Sequence, residues 1–247
     1  MTRGASAPAG SGDDPAVQAV AARALELVED GAKLGLGSGR AALAFIAKLG
    51  LRVQEGLRVV GVPTSSESAR AARAAGIPLI DLGEDVVLDL TVDGADEVAP
   101  NLDLVKGWGG ALVAEHIVAS ASKRQVILVG REKLVRTLGE RGRIPIEVIP
   151  LARGPVTRGL RGLGLMPIVR LDPETGRPQL TENGNLTIDC AVGKPLRDGS
   201  AARALEAALR ELHGVVDTGL FLGTAERVLV GHPDGRVDVL HAAGSAR

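Results

Sequence analysis

Aromatic residues are almost absent from this chain of 247 residues, which has one tryptophan, two phenylalanines and no tyrosine. Proteins that bind single-stranded nucleic acid stack bases on aromatic side chains, so this class is excluded. The 29 lysines and arginines nearly balance the 30 aspartates and glutamates, and the net charge of −1 offers no basic surplus for a phosphate backbone. We therefore expect no nucleic-acid partner.

Metal-binding and membrane-spanning patterns are also lacking. Cys190 is the single cysteine, which excludes an internal disulfide, and the four histidines are scattered without metal-ligand spacing. No apolar run approaches the roughly 20 residues that cross a bilayer, and the N-terminus has no apolar secretion segment. We expect a cytoplasmic protein with no metal and no membrane partner, and a disordered tail over residues 1–14.

Short aliphatic runs alternate with glycine-rich turns and helical patterns in the first half of the chain, where Asp14 and Pro15 are suited to begin a helix. This alternation is typical of a parallel α/β sheet. The predicted helices cover residues 16–29, 40–49, 66–75 and 111–121. The predicted strands cover residues 32–36, 57–62, 86–92, 102–106 and 125–129.

Prolines become frequent after about residue 139, and the strands become separated by longer polar segments. We predict a catalytic α/β domain over residues 15–138 and 215–247, and a smaller α+β (ferredoxin-like) domain over residues 139–214. Helices are predicted at 151–163 and 200–212 in this half. Strands are predicted at 167–171, 186–191, 215–221, 227–231 and 237–241.

A glycine-rich turn follows the first predicted strand and contains Gly37, Ser38 and Gly39, with Arg40 at the start of the next helix. Glycines allow close backbone approach, and the N–H groups of a helix start favour an anion. The turn is neither a Walker motif nor a complete dinucleotide fingerprint, so a plain structural turn is an equal interpretation. Arg40 favours an anionic ligand.

Three acidic residues, Asp93, Asp96 and Glu97, crowd another strand end, and Gly94 and Ala95 keep that turn tight. Both aspartates can project into one cleft. Two carboxylates without a third ligand would make only a loose magnesium site, and a solvated acidic loop is the competing interpretation.

The segment from Lys106 to Gly110 carries three glycines and Trp108, and the predicted helix after it carries Glu115. A lysine at this edge can neutralise an oxyanion or a phosphate, and burial would raise the pKa of Glu115 towards that of a general base. An exposed helix face is the alternative for an isolated glutamate. His116 is the rival base, Lys133 follows a further strand end, and Cys190 sits in an apolar strand that is typical of the core.

Together these segments resemble the A type of ribose-5-phosphate isomerase. The motifs are TVDGADEV at 91–98, LVKGWGG at 104–110, PIEVIP at 145–150, TENGNLTIDC at 181–190 and GVVDTGLFL at 214–222. They occur in the order of the family and cover nearly the whole chain from about residue 16.

The resemblance implies a two-domain α/β protein that interconverts ribose 5-phosphate and ribulose 5-phosphate in the pentose phosphate pathway, without metal or cofactor, as a homodimer or homotetramer. Glu115 is implied as the base that moves a proton between C1 and C2. Asp93, Asp96 and Lys106 are implied to assist ring opening and stabilise the enediolate. Further substrate contacts are implied for Ser38, Gly39, Arg40, Ala41, Gly94, Ala95, Gly107, Trp108, Gly109 and Lys133.

Several positions depart from the family pattern. The family's Thr-Gly-Ser-Thr is Ser38-Gly39-Arg40-Ala41 here, which removes two hydroxyl groups and adds a guanidinium. Trp108 replaces the middle glycine of Lys-Gly-Gly-Gly, and a lysine of the first helix has no counterpart. These changes alter the walls of the pocket and leave the proton-transfer groups intact.

Three alternatives follow from these departures: an isomerase with altered phosphosugar specificity, a non-catalytic sugar-phosphate sensor, and a relative of the acyl-CoA transferases. The sensor is disfavoured because only about fourteen small polar residues precede the first predicted helix. The transferase is disfavoured by the set Asp93, Asp96, Lys106 and Glu115.

Overall fold

The computed structural model describes residues 14–193, 196 and 199–241. Its α-helices are α1 (Pro15–Leu25), α2 (Gly39–Gln54), α3 (Ser66–Ala74), α4 (Leu112–Ser120), α5 (Arg153–Gly162) and α6 (Gly199–Arg210). Its strands are β1 (Lys33–Leu36), β2 (Val60–Pro63), β3 (Leu90–Gly94), β4 (Glu97–Val98), β5 (Leu104–Val105), β6 (Gln125–Gly130), β7 (Ile144–Val148), β8 (Leu165–Val169), β9 (Leu186–Val192), β10 (Val215–Thr218), β11 (Leu220–Phe221), β12 (Arg227–Gly231) and β13 (Val237–His241).

A six-stranded sheet in the order β13-β12-β6-β3-β1-β2 forms the larger layer. All its neighbouring pairs are parallel except β12 with β13, which confirms the predicted parallel α/β sheet. The strand sequence changes direction at β1, which has β2 on one side and β3 on the other. Ligands in open α/β sheets bind beyond the carboxyl ends of strands at such a point.

A second sheet, in the order β10-β7-β9-β8, is antiparallel and carries α5 and α6. A third sheet of three short strands has the order β11-β5-β4. Its strands β4 and β5 lie between β3 and β6 in the chain, and β11 lies between β10 and β12. The predicted strand 215–221 is split at Gly219, because its first part pairs with β7 and its last part with β5. The division into two domains remains a prediction. Because β10 pairs with β7, residues 215–218 belong to the second sheet, although the prediction assigned them to the catalytic domain.

Several element bounds differ from the sequence-based ones. The first helix ends at Leu25 rather than residue 29, since the chain turns before β1. The strand predicted over 86–92 covers Leu90–Gly94 instead. Asp93 and Gly94 therefore belong to the strand rather than to the turn after it. The segment 150–152 is a 3-10 turn ahead of α5. Of the predicted tail, residues 1–13 lie outside the described residues, while the Asp14 side chain accepts a hydrogen bond from Ala16 N–H and caps α1.

The core is aliphatic, as the composition requires. Phe45 and Ile46 of α2 pack with Leu34 and Leu36 of β1 in the main cluster, and all four are fully buried. Burial of a side chain of this size contributes about 1.5–3 kcal/mol to folding. This packing fixes the start of α2 above the end of β1, which positions the glycine-rich turn.

Gly37 lies where that turn meets β3. A Cβ atom at this position would lie 2.6 Å from the Asp93 Cα, which no side chain tolerates. The glycine is therefore required for the close approach of two neighbouring strand ends rather than for a positive φ.

We predict that Gly37→Ala lowers the free energy of unfolding by about 1–3 kcal/mol or more, because the β3 backbone would have to move away. Urea unfolding of both proteins measures this. Gly83→Ala is the matched control, since the nearest atom to a Cβ there is 4.0 Å away. A Gly37→Ala variant as stable as the control would contradict the close-approach argument.

Candidate active site

The segments that follow β1, β3 and β6 meet at one edge of the six-stranded sheet and surround a cavity of about 200 Å³, called the central cavity below. This edge is the carboxyl end of the parallel strands, where a ligand site is expected. The lining residues are Asp14, Ala16, Val17, Val20, Ser38, Gly39, Arg40, Ala41, Gly94, Ala95, Asp96, Lys106, Gly107, Gly109, Glu115, Leu128, Val129, Gly130, Glu132 and Lys133. Asp93 and Trp108 do not belong to this lining.

Lys106 occupies the centre of the site and its side chain is only 2% exposed. Its Nζ lies 3.0 Å from Asp93 Oδ2 and 3.3 Å from Glu115 Oε2, and it donates a hydrogen bond of 2.6 Å to the Gly94 carbonyl. Burial opposes the charge of Lys106, but the adjacent Asp93 and Glu115 carboxylates raise its pKa above the ordinary value. The ammonium group therefore stays charged and fixed in direction.

Asp93 is fully buried at the end of β3 and acts from behind the cavity wall. Its Oδ1 accepts hydrogen bonds from the backbone N–H groups of Ser38, at 3.0 Å, and Gly94, at 2.7 Å. Its Oδ2 faces Lys106. In this geometry Asp93 holds Lys106 and the glycine-rich turn, and its predicted contact with substrate stays a prediction.

Glu115 lies in the first turn of α4, and its side chain is 8% exposed. Burial raises its pKa to about 7, although the Lys106 ammonium opposes this increase. A carboxylate with such a pKa can take a proton and return it near neutral pH. The alternative of an exposed helix face is wrong for this residue.

Asp96 and Lys133 complete the polar wall on the side of β6. Asp96 Oδ2 accepts a hydrogen bond of 2.9 Å from the Trp108 backbone N–H, and its Oδ1 lies 3.9 Å from Lys133 Nζ. Burial raises the pKa of Asp96 above its ordinary value. Asp96 therefore lines the cavity near the Lys133 and Lys106 ammonium groups.

Glu97, the third member of the acidic cluster, binds the backbone of a loop instead of facing the cavity. Its fully buried carboxylate accepts hydrogen bonds from the backbone N–H groups of Gly139, at 2.6 Å, and Arg141, at 2.7 Å. It organises the loop after β6 and does not line the cavity. The acidic cluster thus separates into one cavity residue, one supporting residue and one loop anchor.

The glycine-rich turn presents the start of α2 to the cavity. Gly39 is the first residue of α2 and has a φ of +81°, and Arg40 and Ala41 follow it in the first turn. The Ser38 hydroxyl pairs with Thr64 and Ser65, at 2.7 and 3.0 Å. Within the described part of the chain, no ion pair engages the Arg40 guanidinium, so its charge can serve a ligand.

Two other candidates lie away from the cavity. The His116 Nδ1 lies 3.0 Å from Asp217 Oδ2, and its ring stacks on Phe221 with centroids 4.1 Å apart. The His116 side chain therefore points from α4 towards Asp217 and Phe221, whereas the Glu115 side chain faces Lys106. Cys190 is fully buried in β9, and burial raises the pKa of its thiol to about 12, so it is a core residue as predicted.

Sequence reasoning did not find Arg170, which reaches the site from the second sheet. Its guanidinium donates to the carbonyls of Gly107 and Trp108, at 3.3 and 3.1 Å, and pairs with both Asp189 carboxylate oxygens. It holds the glycine-rich segment after Lys106 in place. Lining residues of α1, such as Val17, were also missed, since an apolar helix face carries no signal of a nearby ligand.

A family model, curated relatives and solved structures all indicate the same family for this chain. The family model of ribose 5-phosphate isomerase A (phosphoriboisomerase A) matches residues 60–235. A curated relative from Gloeobacter violaceus, named ribose-5-phosphate isomerase A, is 46% identical over 224 residues, which are 90% of this chain and 94% of the relative.

Solved structures share the fold over nearly the whole chain. A ribose 5-phosphate isomerase A from Methanocaldococcus jannaschii has a TM-score of 0.86 at 39% identity. The match covers 94% of this chain and 100% of that chain. A D-ribose-5-phosphate isomerase in complex with phospho-erythronic acid has a TM-score of 0.85 at 34% identity, with 91% of this chain and 97% of that chain covered. The chain belongs to the ribose 5-phosphate isomerase A family.

Proposed function

We propose that the central cavity interconverts D-ribose 5-phosphate and D-ribulose 5-phosphate by moving one proton between C1 and C2 of the open-chain sugar. The chain is an isomerase by its family, and the residue roles below are our assignment. The observation that carries the assignment is the buried Glu115 carboxylate, 3.3 Å from the Lys106 ammonium. A base and a fixed positive charge at that spacing are what an enediolate requires.

The steps assign each group a role. Glu115 takes the proton from C2 of the aldose, the C–H electron pair forms the C1=C2 bond, and the carbonyl oxygen becomes an enediolate oxygen. Lys106 stabilises that negative charge because its Nζ is held by Asp93 and the Gly94 carbonyl. The proton of the C2 hydroxyl then passes to O1, and Glu115 returns its proton to C1. The C1=C2 electron pair forms the new C1–H bond, the C2=O bond forms, and the product is the ketose.

Ring opening precedes this transfer, because the aldose is present mainly as a cyclic hemiacetal. Asp96 lines the cavity, and burial raises its pKa, so it is suited to exchange a proton with the ring oxygen or the anomeric hydroxyl. No step needs an external oxidant or reductant, because the oxidation of C2 and the reduction of C1 balance within the substrate. We accordingly expect turnover without an added metal or cofactor.

The phosphate group fits the start of α2. Gly39 and the first residues of α2 line the cavity, and helix N-termini favour anions. Arg40 adds a full positive charge where the family pattern has a hydroxyl residue. The ligand of one solved relative, phospho-erythronic acid, combines a phosphate with a carboxylate whose charge and planarity are similar to those of an enediolate.

The direct test measures the rate at which the purified protein converts ribose 5-phosphate in the presence of EDTA. The same assay is run with other pentose and hexose phosphates. We expect turnover of ribose 5-phosphate. Turnover with another phosphosugar alone would indicate that Arg40 and Ala41 have altered the specificity, which is the second candidate. Binding without turnover would instead support the sensor.

Self-association is the second part of the proposal. We propose a homodimer or homotetramer, which is supported by apolar side chains left exposed on the edge strand β8. Met166 is 56% exposed and Ile168 is 70% exposed. An uncovered apolar edge of this kind is a liability for an isolated subunit.

The cytoplasmic location stays a prediction. No described helix combines the length and apolar character needed to cross a membrane.

We predict that Glu115→Gln lowers kcat by about 10²–10⁴-fold, the usual contribution of a general base, while the protein remains folded. A coupled ribulose 5-phosphate assay and circular dichroism measure the two outcomes. Glu67→Gln is the matched control, since Glu67 is an exposed glutamate in the first turn of another helix, α3. Near wild-type activity of Glu115→Gln would remove Glu115 from the mechanism.

The pH dependence follows from the same residue. Glu115 must be ionised to act as a base, and its pKa is about 7, so kcat/KM should fall as the pH drops through 7 and level off above it. The Lys106 ammonium stays charged across this range because its pKa is raised. Initial rates between pH 5.5 and 9 test this, and a profile that stays flat down to pH 5.5 would contradict it.

A further inference from the structure

Trp108 occupies a glycine position of the family pattern, yet its indole does not fill the central cavity. The side chain is half-buried, and its Nε1–H donates a hydrogen bond of 3.1 Å to the Arg143 carbonyl. Its backbone N–H donates to Asp96 at 2.9 Å. The cavity is lined by the neighbouring Gly107 and Gly109, so the indole lies behind this wall.

Three cationic side chains surround the indole. The Arg143 guanidinium lies 4.9 Å from the ring centroid, Lys133 Nζ lies at 5.6 Å and the Arg141 guanidinium lies at 5.8 Å. Like charges repel one another, and the electron-rich face of an indole offsets this repulsion. Of these three cations, only Lys133 lines the cavity.

Lys133 has little else to hold it. The nearest carboxylate oxygen that the structure gives it is Asp96 Oδ1, at 3.9 Å, which is the outer limit of an ion pair. Arg143, by contrast, has Asp189 at 3.3 Å, and Arg141 donates to the Glu132 carbonyl. The indole is therefore the main restraint on the position of the Lys133 ammonium.

We propose that Trp108 is a positioning residue that holds Lys133 against the cavity wall and thereby sets the affinity for the anionic phosphosugar. This inference rests on the proposed function. Without the indole, Lys133 can close the 3.9 Å gap to Asp96 and form a tight ion pair there. The ammonium would then be lost to the substrate, while Lys106, Asp93 and Glu115 would be unchanged.

The test compares Trp108→Leu with Trp108→Phe. We expect Leu, which has no π face, to raise KM for ribose 5-phosphate about three- to tenfold, as expected from the strength of one cation–π contact, with a smaller fall in kcat because Lys133 then engages Asp96. Phe keeps an aromatic face and should restore KM to within about twofold of the wild type. Equal defects in Leu and Phe, or a fall in kcat with KM unchanged, would overturn the proposal.

A double-mutant cycle shows whether the effect passes through Lys133. Lys133→Met should itself raise KM, and adding Trp108→Leu should then change KM by less than about twofold, because the shared interaction is already lost. Arg141→Met removes a cation that contacts the same ring but does not line the cavity, so it should leave KM near the wild-type value. A full Trp108→Leu effect in the Lys133→Met background would overturn the proposal.

Binding of 4-phospho-D-erythronic acid, measured by calorimetry, separates this inference from the proposed function. Absence of turnover in the wild type would refute the isomerase assignment, whatever the variants do. Weaker binding in Trp108→Leu with recovery in Trp108→Phe would still support the positioning role. Unchanged binding in all variants, together with unchanged KM, would refute the role of Trp108 alone.

Discussion

One buried ammonium group, Lys106 Nζ, determines how the rest of the site is arranged. Its charge is tolerable in the interior only because Asp93 and Glu115 lie within 3.3 Å and the Gly94 carbonyl accepts a hydrogen bond from it. The two carboxylates in turn depend on it, since two adjacent buried anions repel each other. Removal of Lys106 would leave two buried carboxylates without a counter-charge, so the group that stabilises the enediolate also stabilises the folded structure.

The division of labour between the carboxylates follows from what each one contacts. Asp93 accepts hydrogen bonds from two backbone N–H groups in addition to its contact with the lysine ammonium. For Glu115 Oε2, the structure gives Lys106 as an ion-pair partner and no hydrogen bond, and burial brings its pKa to about 7. The site therefore combines one carboxylate that is fixed by backbone hydrogen bonds with one that can accept a proton near neutral pH.

Much of the site could be predicted from the sequence because the polar residues directly follow aliphatic strands, and parallel strands end at one edge. Asp14 and Pro15 likewise predicted where α1 begins. The two-residue strand β4 could not be predicted, since it is too short to show periodicity, whereas β5 and β11 lie within the longer strands predicted at 102–106 and 215–221. The orientation of Trp108 depends on Arg143, which is distant in the sequence and becomes a neighbour only through the fold.

The hydrogen bond between Lys106 N–H and the Gly219 carbonyl has a consequence for synthesis of the chain. It joins residues 113 positions apart, and Phe221, two residues after Gly219, lies 5.5 Å from the same lysine ammonium. Long-range pairing of this kind forms late, because the ends of a long loop must first meet. A ribosome-bound chain that stops before residue 219 thus contains every proton-transfer residue, yet it lacks the strand that aligns the lysine.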